Sequence, residues 1–268
     1  MDPIRRLTCT AGALWLAGCA TSAADPLRAA ATAELSGSGR LRAAINFGNP
    51  ILANRGPGGD PYGVSVDLAR EAARRLAVPI DLVTFNSAGL VVEAVKARQV
   101  DLAFVAIDPV RAVDMEYTAP YVIIEGAYLV KQASALQRND EVDRAGTRVA
   151  VGRGSAYDLY LTRELKAAKL ERAPTSPTVV DFFLASNLDV AAGVKQQLEA
   201  DAKRVGGVRL LPGRFMIIEQ AMGVPKGRTA AQAWLSRYIE EMKATGFVAE
   251  ALARHRIEGA VVAPPRSS

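Results

Sequence analysis

From Leu41 onward, strand-like apolar runs and amphipathic helical runs alternate with short links, and that order restricts the chain to parallel sheets covered by helices. The run LRAAINF, Leu41 to Phe47, reads as a buried strand that opens into a Gly/Pro-rich loop ending at Tyr62. Asp67 is expected to cap the helix that follows. Its apolar positions Leu68, Ala69, Ala72, Ala73 and Leu76 recur at three- and four-residue spacing, and Pro79 stands beyond its end. A strand from Pro79 to Phe85, a helix with Leu90, Val91, Ala94 and Val95 on one face, and a strand from Asp101 to Ile107 complete one unit.

A similar unit follows. It runs from the strand Thr147 to Gly152, through a helix from Ser155 to about Ala168, a short strand and a helix near Thr178 to Ala185, to the strand Leu188 to Val194. The likeness of QVDLAFV to NLDVAAG marks the two units as structural echoes. After them come a strand over 217–224 and two helices, Thr229 to Ala244 and Phe247 to Arg254, with no counterpart in the second unit. These return to cover the first unit, so the chain crosses between units twice, near Leu129 to Lys131 and near Leu211 to Phe215, and two crossings make a hinge. The expected architecture is α/β and two-lobed, each lobe a mostly parallel sheet flanked by helices. Lobe 1 comprises residues 39–129 with 216–262, lobe 2 residues 130–215, and 263–268 form a disordered tail.

The N-terminal end has the layout of an export signal over residues 1–18, with Arg5 and Arg6 ahead of an apolar run from Leu7 to Ala17 that is too short to span a bilayer. The run ends in LAGC, Leu16 to Cys19, which resembles a bacterial lipobox. Cleavage before Cys19 and lipidation of its thiol would leave residues 19–38, rich in Ala, Ser and Gly, as a flexible tether. Ordinary cleavage after Ala24 is the alternative, and both routes place the protein outside the cytoplasm. Cys9 falls inside the signal, so the exported domain has no thiol for a disulfide, a metal site or a nucleophile beyond the acylated Cys19.

The net charge of +5 is scattered among acidic residues and not clustered with aromatics, which argues against nucleic-acid binding. The one histidine, His255, lies on the last helix and is expected at the surface; HExxH, GxSxG and metal-ligand spacings of carboxylates are absent, so no metal and no cofactor are expected.

Several segments together carry a family resemblance. They are GRLRAAI (Gly39 to Ile45), GVSVDLAREAARRL (Gly63 to Leu76), VVEAVKARQVDLAF (Val91 to Phe104), PVRAVDMEYTAPY (Pro109 to Tyr121), VAVGRGSAYDLYL (Val149 to Leu161), GVPKG (Gly223 to Gly227) and EEMKATGFVAEAL (Glu240 to Leu252). In order and spacing they resemble family 3 of the bacterial periplasmic solute-binding proteins, the amino-acid type of ABC-importer component. The resemblance implies the type II periplasmic-binding-protein fold and a ligand held between the lobes.

It also implies the site. Arg111, at the carboxyl end of a parallel strand, matches the carboxylate-binding arginine; from the residues alone a surface ion pair to Asp108 or Asp114 remains the plain alternative. The loop GRGSAY brings Gly154, Ser155 and Tyr157 to a helix start, where free amides and the helix dipole favour an anion, although helix capping alone would also use Ser155. Asn46, Phe47 and Asn49, where the first strand ends, correspond to the wall of the cleft. The place five residues after Asp189, where amino-acid binders of the family carry an aspartate for the ligand ammonium, holds Val194. Asp108, Glu125 and Glu219 are the acids that could substitute, Glu125 and Glu219 being either cleft-lining groups or partners of Arg153 or Arg214.

The expected function is the extracytoplasmic substrate-binding component of an ABC importer, a monomer that delivers a small solute to a membrane permease. A periplasmic lyase of the cyclohexadienyl-dehydratase kind on the same fold is the alternative, because a glutamate near the hinge could act as a general acid. An extracytoplasmic sensor domain is a third reading, disfavoured because no signalling module follows residue 260.

Overall fold

A computed structural model describes residues 25–266; the expected signal, Cys19 and the first residues of the tether lie outside the described residues. The first helix, α1 (Pro26–Leu35), precedes β1 (Leu41–Asn46), the short pair β2 (Asn54–Arg55) and β3 (Pro61–Tyr62), and α2 (Val64–Leu76). Then come β4 (Ile80–Phe85), α3 (Ala88–Lys96), β5 (Leu102–Ala106) and the long β6 (Met115–Lys131). The second unit holds β7 (Arg148–Gly152), α4 (Ala156–Glu164), β8 (Lys169–Ala173), α5 (Val179–Ala185), β9 (Val190–Val194), α6 (Lys195–Val205) and β10 (Val208–Leu210). The chain returns through β11 (Met216–Pro225), α7 (Thr229–Ala244), α8 (Phe247–Arg254) and β12 (Val261–Val262).

The strands form a mixed sheet in the order β4-β1-β5-β11-β6-β9-β7-β8, with β10 and β12 also bonded to β6. Each lobe repeats one plan: β4-β1-β5 and β8-β7-β9 are parallel triplets with the first strand of the unit in the middle, followed by an antiparallel neighbour, β11 or β6. The sheet is continuous through β6, whose residues Met115 to Gly126 pair with β11 while Gly126 to Val130 pair with β9. Gly126 is thus the residue shared by both lobes, and a side chain there would meet Phe215 and Met216 at the second crossing.

The echo between units extends to single atoms. Asp101 accepts the Arg42 backbone N–H at 3.1 Å and Asp189 accepts that of Arg148 at 2.8 Å. The arginine side chains in turn donate to the carbonyls of Arg98 and Asn187, both of which have left-handed φ. The same aspartate therefore ties the start of the central strand to the loop before the third in each lobe.

Four expectations are corrected. Residues 26–35, placed in the flexible tether, form α1, because the Asp25 carboxylate accepts from Leu27 and Arg28, Pro26 opens the helix, and Ala31 and Leu35 are fully buried against α7. The tail begins packed, since Ala263 is buried and donates its N–H to Tyr121 at 3.1 Å. Asp67 does not cap α2, whose N-cap is Gly63, four residues earlier, with φ 126°, a conformation only glycine adopts readily. Asp67 instead accepts from Arg254 at 2.7 Å and from His255 at 2.8 Å, which draws His255 off the surface.

The core follows the helix faces anticipated above, with Leu68, Ala69, Ala72, Ala73 and Leu76 all buried under the first sheet. In the same cluster α7 packs on α1, with Trp234 and Tyr238 stacked at 5.4 Å and the Tyr238 hydroxyl donating to the Leu68 carbonyl of α2 at 2.8 Å.

Candidate functional site

In open parallel sheets the strands all end on one edge, and the connections leaving that edge converge. The two parallel triplets face their carboxyl ends toward each other here, so loops from both lobes enclose one cavity. It is lined by the end of β1 and the loop after it (Asn46, Gly48, Asn49), by Ala88 at the start of α3, by Ala106 at the end of β5 and by Arg111 beyond it. The opposite wall is Ser155, Ala156 and Tyr157 at the start of α4, Ser176 after β8 and Val194 at the end of β9, while Ile218 and Gln220 on β11 line the cavity beside β5. The space open to the centre of a water molecule is about 30 Å³, so the lobes stand close together.

Arg111 is the largest group in this wall and is only 2 % exposed. Its Nη1 donates to the carbonyl of Ala106 at 2.9 Å on its own lobe, and its Nη2 reaches across to the carbonyl of Gly154, also at 2.9 Å. The Nε has no partner. Burial pushes the guanidinium below its ordinary value, while Tyr117 and Asp108 nearby oppose the shift. Burial in turn pushes Tyr117 up to about 12, so it is a neutral phenol at physiological pH, and its hydroxyl is unpartnered. A buried guanidinium with a spare donor is costly unless an acceptor reaches it.

The second lobe presents the α4 start. The Ser155 hydroxyl accepts the Asp158 N–H at 3.0 Å, a capping bond, and the Asp158 carboxylate accepts the Gly154 N–H at 2.8 Å. The serine thus caps the helix and lines the cavity at once. Gly154 has φ 70°, and a Cβ on it would come within 3.1 Å of the Gly89 Cα in the first turn of α3. The two helix starts approach backbone to backbone, which two glycines permit.

The sequence candidates divide into two groups. Arg111, Asn46, Asn49, Ser155 and Tyr157 line the cavity, and Gly154 meets Arg111 across it. Phe47 turns away and lies under the Arg55 guanidinium at 4.9 Å. Asp108 is withdrawn beneath Arg163, whose Nη2 donates to its Oδ2 at 2.9 Å, while its Oδ1 accepts the Val110 N–H. Glu125 lies outside the cavity, bonded to Arg214 at 2.6 Å and to Lys195 at 3.1 Å; these two cations hold its carboxyl below the usual range. Glu219 is exposed.

Gln220, Ser176, Ile218 and Ala88 were missed. For β11 the signal was available: alternate residues of a strand face opposite sides, so Ile218 and Gln220 point together and Glu219 must point away.

The sequence pattern that defines the bacterial extracellular solute-binding proteins, family 3, matches residues 41–256. The chain belongs to that family. Its fold is that of solved relatives at low identity. The solute receptor for L-cysteine of Neisseria gonorrhoeae superposes with a TM-score of 0.73 at 20 % identity, covering 83 % of this chain and 92 % of that one. A mutant of ArgBP from T. maritima gives 0.72 at 18 %, with 84 % and 98 % covered. The ancestral amino-acid-binding protein AncCDT-1, a precursor of cyclohexadienyl dehydratase, gives 0.71 at 18 %, with 83 % and 98 % covered. No curated protein sequence matches the chain at a significant level. As a family member the chain is a solute-binding protein on the type II periplasmic-binding-protein fold.

Proposed function

We propose that this family 3 protein is the extracytoplasmic substrate-binding component of an ABC importer. In this reading a small carboxylate-bearing solute, an amino acid or a related compound, sits between the lobes and holds them closed. The observation that carries it is the buried guanidinium of Arg111, whose Nε has no partner, in the lining of a cavity walled by both lobes. A carboxylate placed there would satisfy that donor and meet the amides at the α4 start. Closing contacts such as Arg111 to Gly154 are made only when the lobes approach, so a ligand that bridges them favours the closed form by its extra affinity for it. Gly126 and the chain from Leu211 to Phe215 would act as the hinge, with residues 39–129 and 216–262 moving against 130–215.

The closed pair of lobes would then present itself to a permease, with Cys19 acylated to keep the protein at the membrane. The lyase alternative would need an acid in the cavity. Glu125 and Glu219 both lie outside it, which supports binding without chemistry.

A thermal-shift screen of amino acids, polyamines and small organic acids tests the reading, since a ligand that binds the native state raises the melting temperature. The expected result is a carboxylate hit recovered chemically intact. A hit that is converted, or hits confined to polyamines, would overturn it.

A further inference from the structure

Building on the reading of a carboxylate held by Arg111, we propose that the cavity takes a small monocarboxylate without an ammonium group, such as a short hydroxy or plain carboxylic acid, and discriminates against α-amino acids. Among the described residues that line the cavity, Arg111 alone is charged. Three helices also start at it, α3 beside Ala88, α4 at Ser155 and α6 after Val194, and each directs the positive end of its dipole inward. The field in the cavity therefore has one sign. It favours a single negative charge and opposes a positive one.

The acids that could reverse this are engaged elsewhere. Asp108 is held by Arg163 and the Val110 amide. Asp158 is held by Arg172 at 2.9 Å and by the Gly154 amide. Asp201, in the adjoining recess behind Val194, accepts from Arg204 at 2.8 Å and 3.0 Å and from Gln197 at 3.0 Å. Glu125 is held by Arg214 and Lys195. An ammonium entering beside the buried guanidinium would lose its water with no carboxylate to replace it.

What faces the free end of the ligand is neutral. Val194, Ile218, Ala88 and Ala106 form apolar wall, and the lining carries neutral amides, Asn49, whose buried oxygen has no partner, and Gln220. Such amides can exchange hydrogen bonds with a hydroxyl and supply no charge for an ammonium. The narrow space between the closed lobes favours a small ligand.

Isothermal titration of the full chain with L-lactate, propionate and L-alanine, which are closely matched in size, tests the inference. Lactate or propionate should bind at least tenfold more tightly than alanine, and Arg111→Ala should abolish the difference. Alanine binding as well as or better than both acids would overturn the exclusion of the ammonium while leaving the carboxylate reading intact. Failure of all three and of other short monocarboxylates to bind would overturn the inference, and the carboxylate reading falls with it only if the wider screen of amino acids and organic acids also gives no carboxylate hit. Val194→Asp supplies the missing counter-charge and should shift the ratio of alanine to lactate affinity toward alanine by tenfold or more. An unchanged ratio in a folded variant would show that the absent acid does not set the ligand class.

Discussion

Asp108 and Arg163 form an ion pair from lobe to lobe, with 2.9 Å between Oδ2 and Nη2 and the aspartate side chain only 4 % exposed. The pair joins the loop after β5 to the last turn of α4, beside the cavity and not in it. It exists only while the lobes are together. Replacing Arg163 with alanine should therefore shift the ligand-free protein toward an open form and weaken ligand binding severalfold, on the order of 1 kcal/mol for a pair with one half-exposed partner. Small-angle scattering of the ligand-free variant should show a larger radius of gyration. An unchanged radius and affinity would assign the pair no part in closure.

Arg111→Ala should lower affinity for carboxylate ligands tenfold or more, about 1.5–3 kcal/mol for a hydrogen bond to a charged group. Arg111→Lys should restore little, because one ammonium cannot hold the carbonyls of Ala106 and Gly154 and still present a planar donor to the ligand. Titration of both variants against one confirmed ligand checks this.

Gly154→Val tests closure from the opposite side. Its Cβ would come within 3.1 Å of the Gly89 Cα at a backbone φ of 70°, so the variant is strained and the helix starts cannot meet. Strain at such a position costs of order 1–3 kcal/mol. The expected result is a lowered melting temperature together with an open form by scattering, even with ligand in excess.

The paired aspartates of the two units should differ in weight. Asp101 is buried and bonded to both Arg42 and Arg228, whereas Asp189 is half-exposed. Burial alone would raise the Asp101 carboxyl, but Arg42 and Arg228 outweigh it and hold it below its ordinary value. Asp101→Asn should cost about 3 kcal/mol of stability, as removal of one member of a buried pair does. Asp189→Asn should cost about 1 kcal/mol or less. Urea unfolding of the two variants gives the comparison.

Acid should weaken the fold in a defined window through Glu71. Its bonds to Arg74 and then Arg75 overcome burial and hold its carboxyl at about 2, against an ordinary 4.5. A depressed folded value means that the stabilisation is complete above about pH 4.5 and disappears as pH falls toward 2. Glu71→Gln should be less stable than the parent at neutral pH, by on the order of 1 kcal/mol after solvent screening, and equal to it near pH 2. Melting temperatures measured across that range check the sign.

Most of the architecture was legible because it depends on local period and order. The helix faces of α2, α3, α7 and α8 and the strand pattern of both units are properties of neighbours in the chain, and the type II fold with its family follows from their succession. The misreading of α1 shows where composition misleads. An Ala-rich stretch reads equally as tether or helix, and Asp25 followed by Pro26 was the start signal that separates them. Within the candidate site, Arg111, Asn46, Asn49, Ser155 and Tyr157 could be named because strand ends and helix starts can be located from sequence.

What the sequence by itself determined, then, is the repeated strand–helix order, the polar groups at strand ends and the absence of an acid at Val194. The tertiary structure decided which acids are free. Asp108, Asp158, Asp201 and Glu125 are each claimed by a cation, in every case an arginine that is a neighbour in space, and all but the Asp201–Arg204 pair join distant parts of the chain. Electrostatic pairing depends on distance through the folded protein, not along the chain, so the single positive sign of the cavity becomes visible only once both lobes are in place.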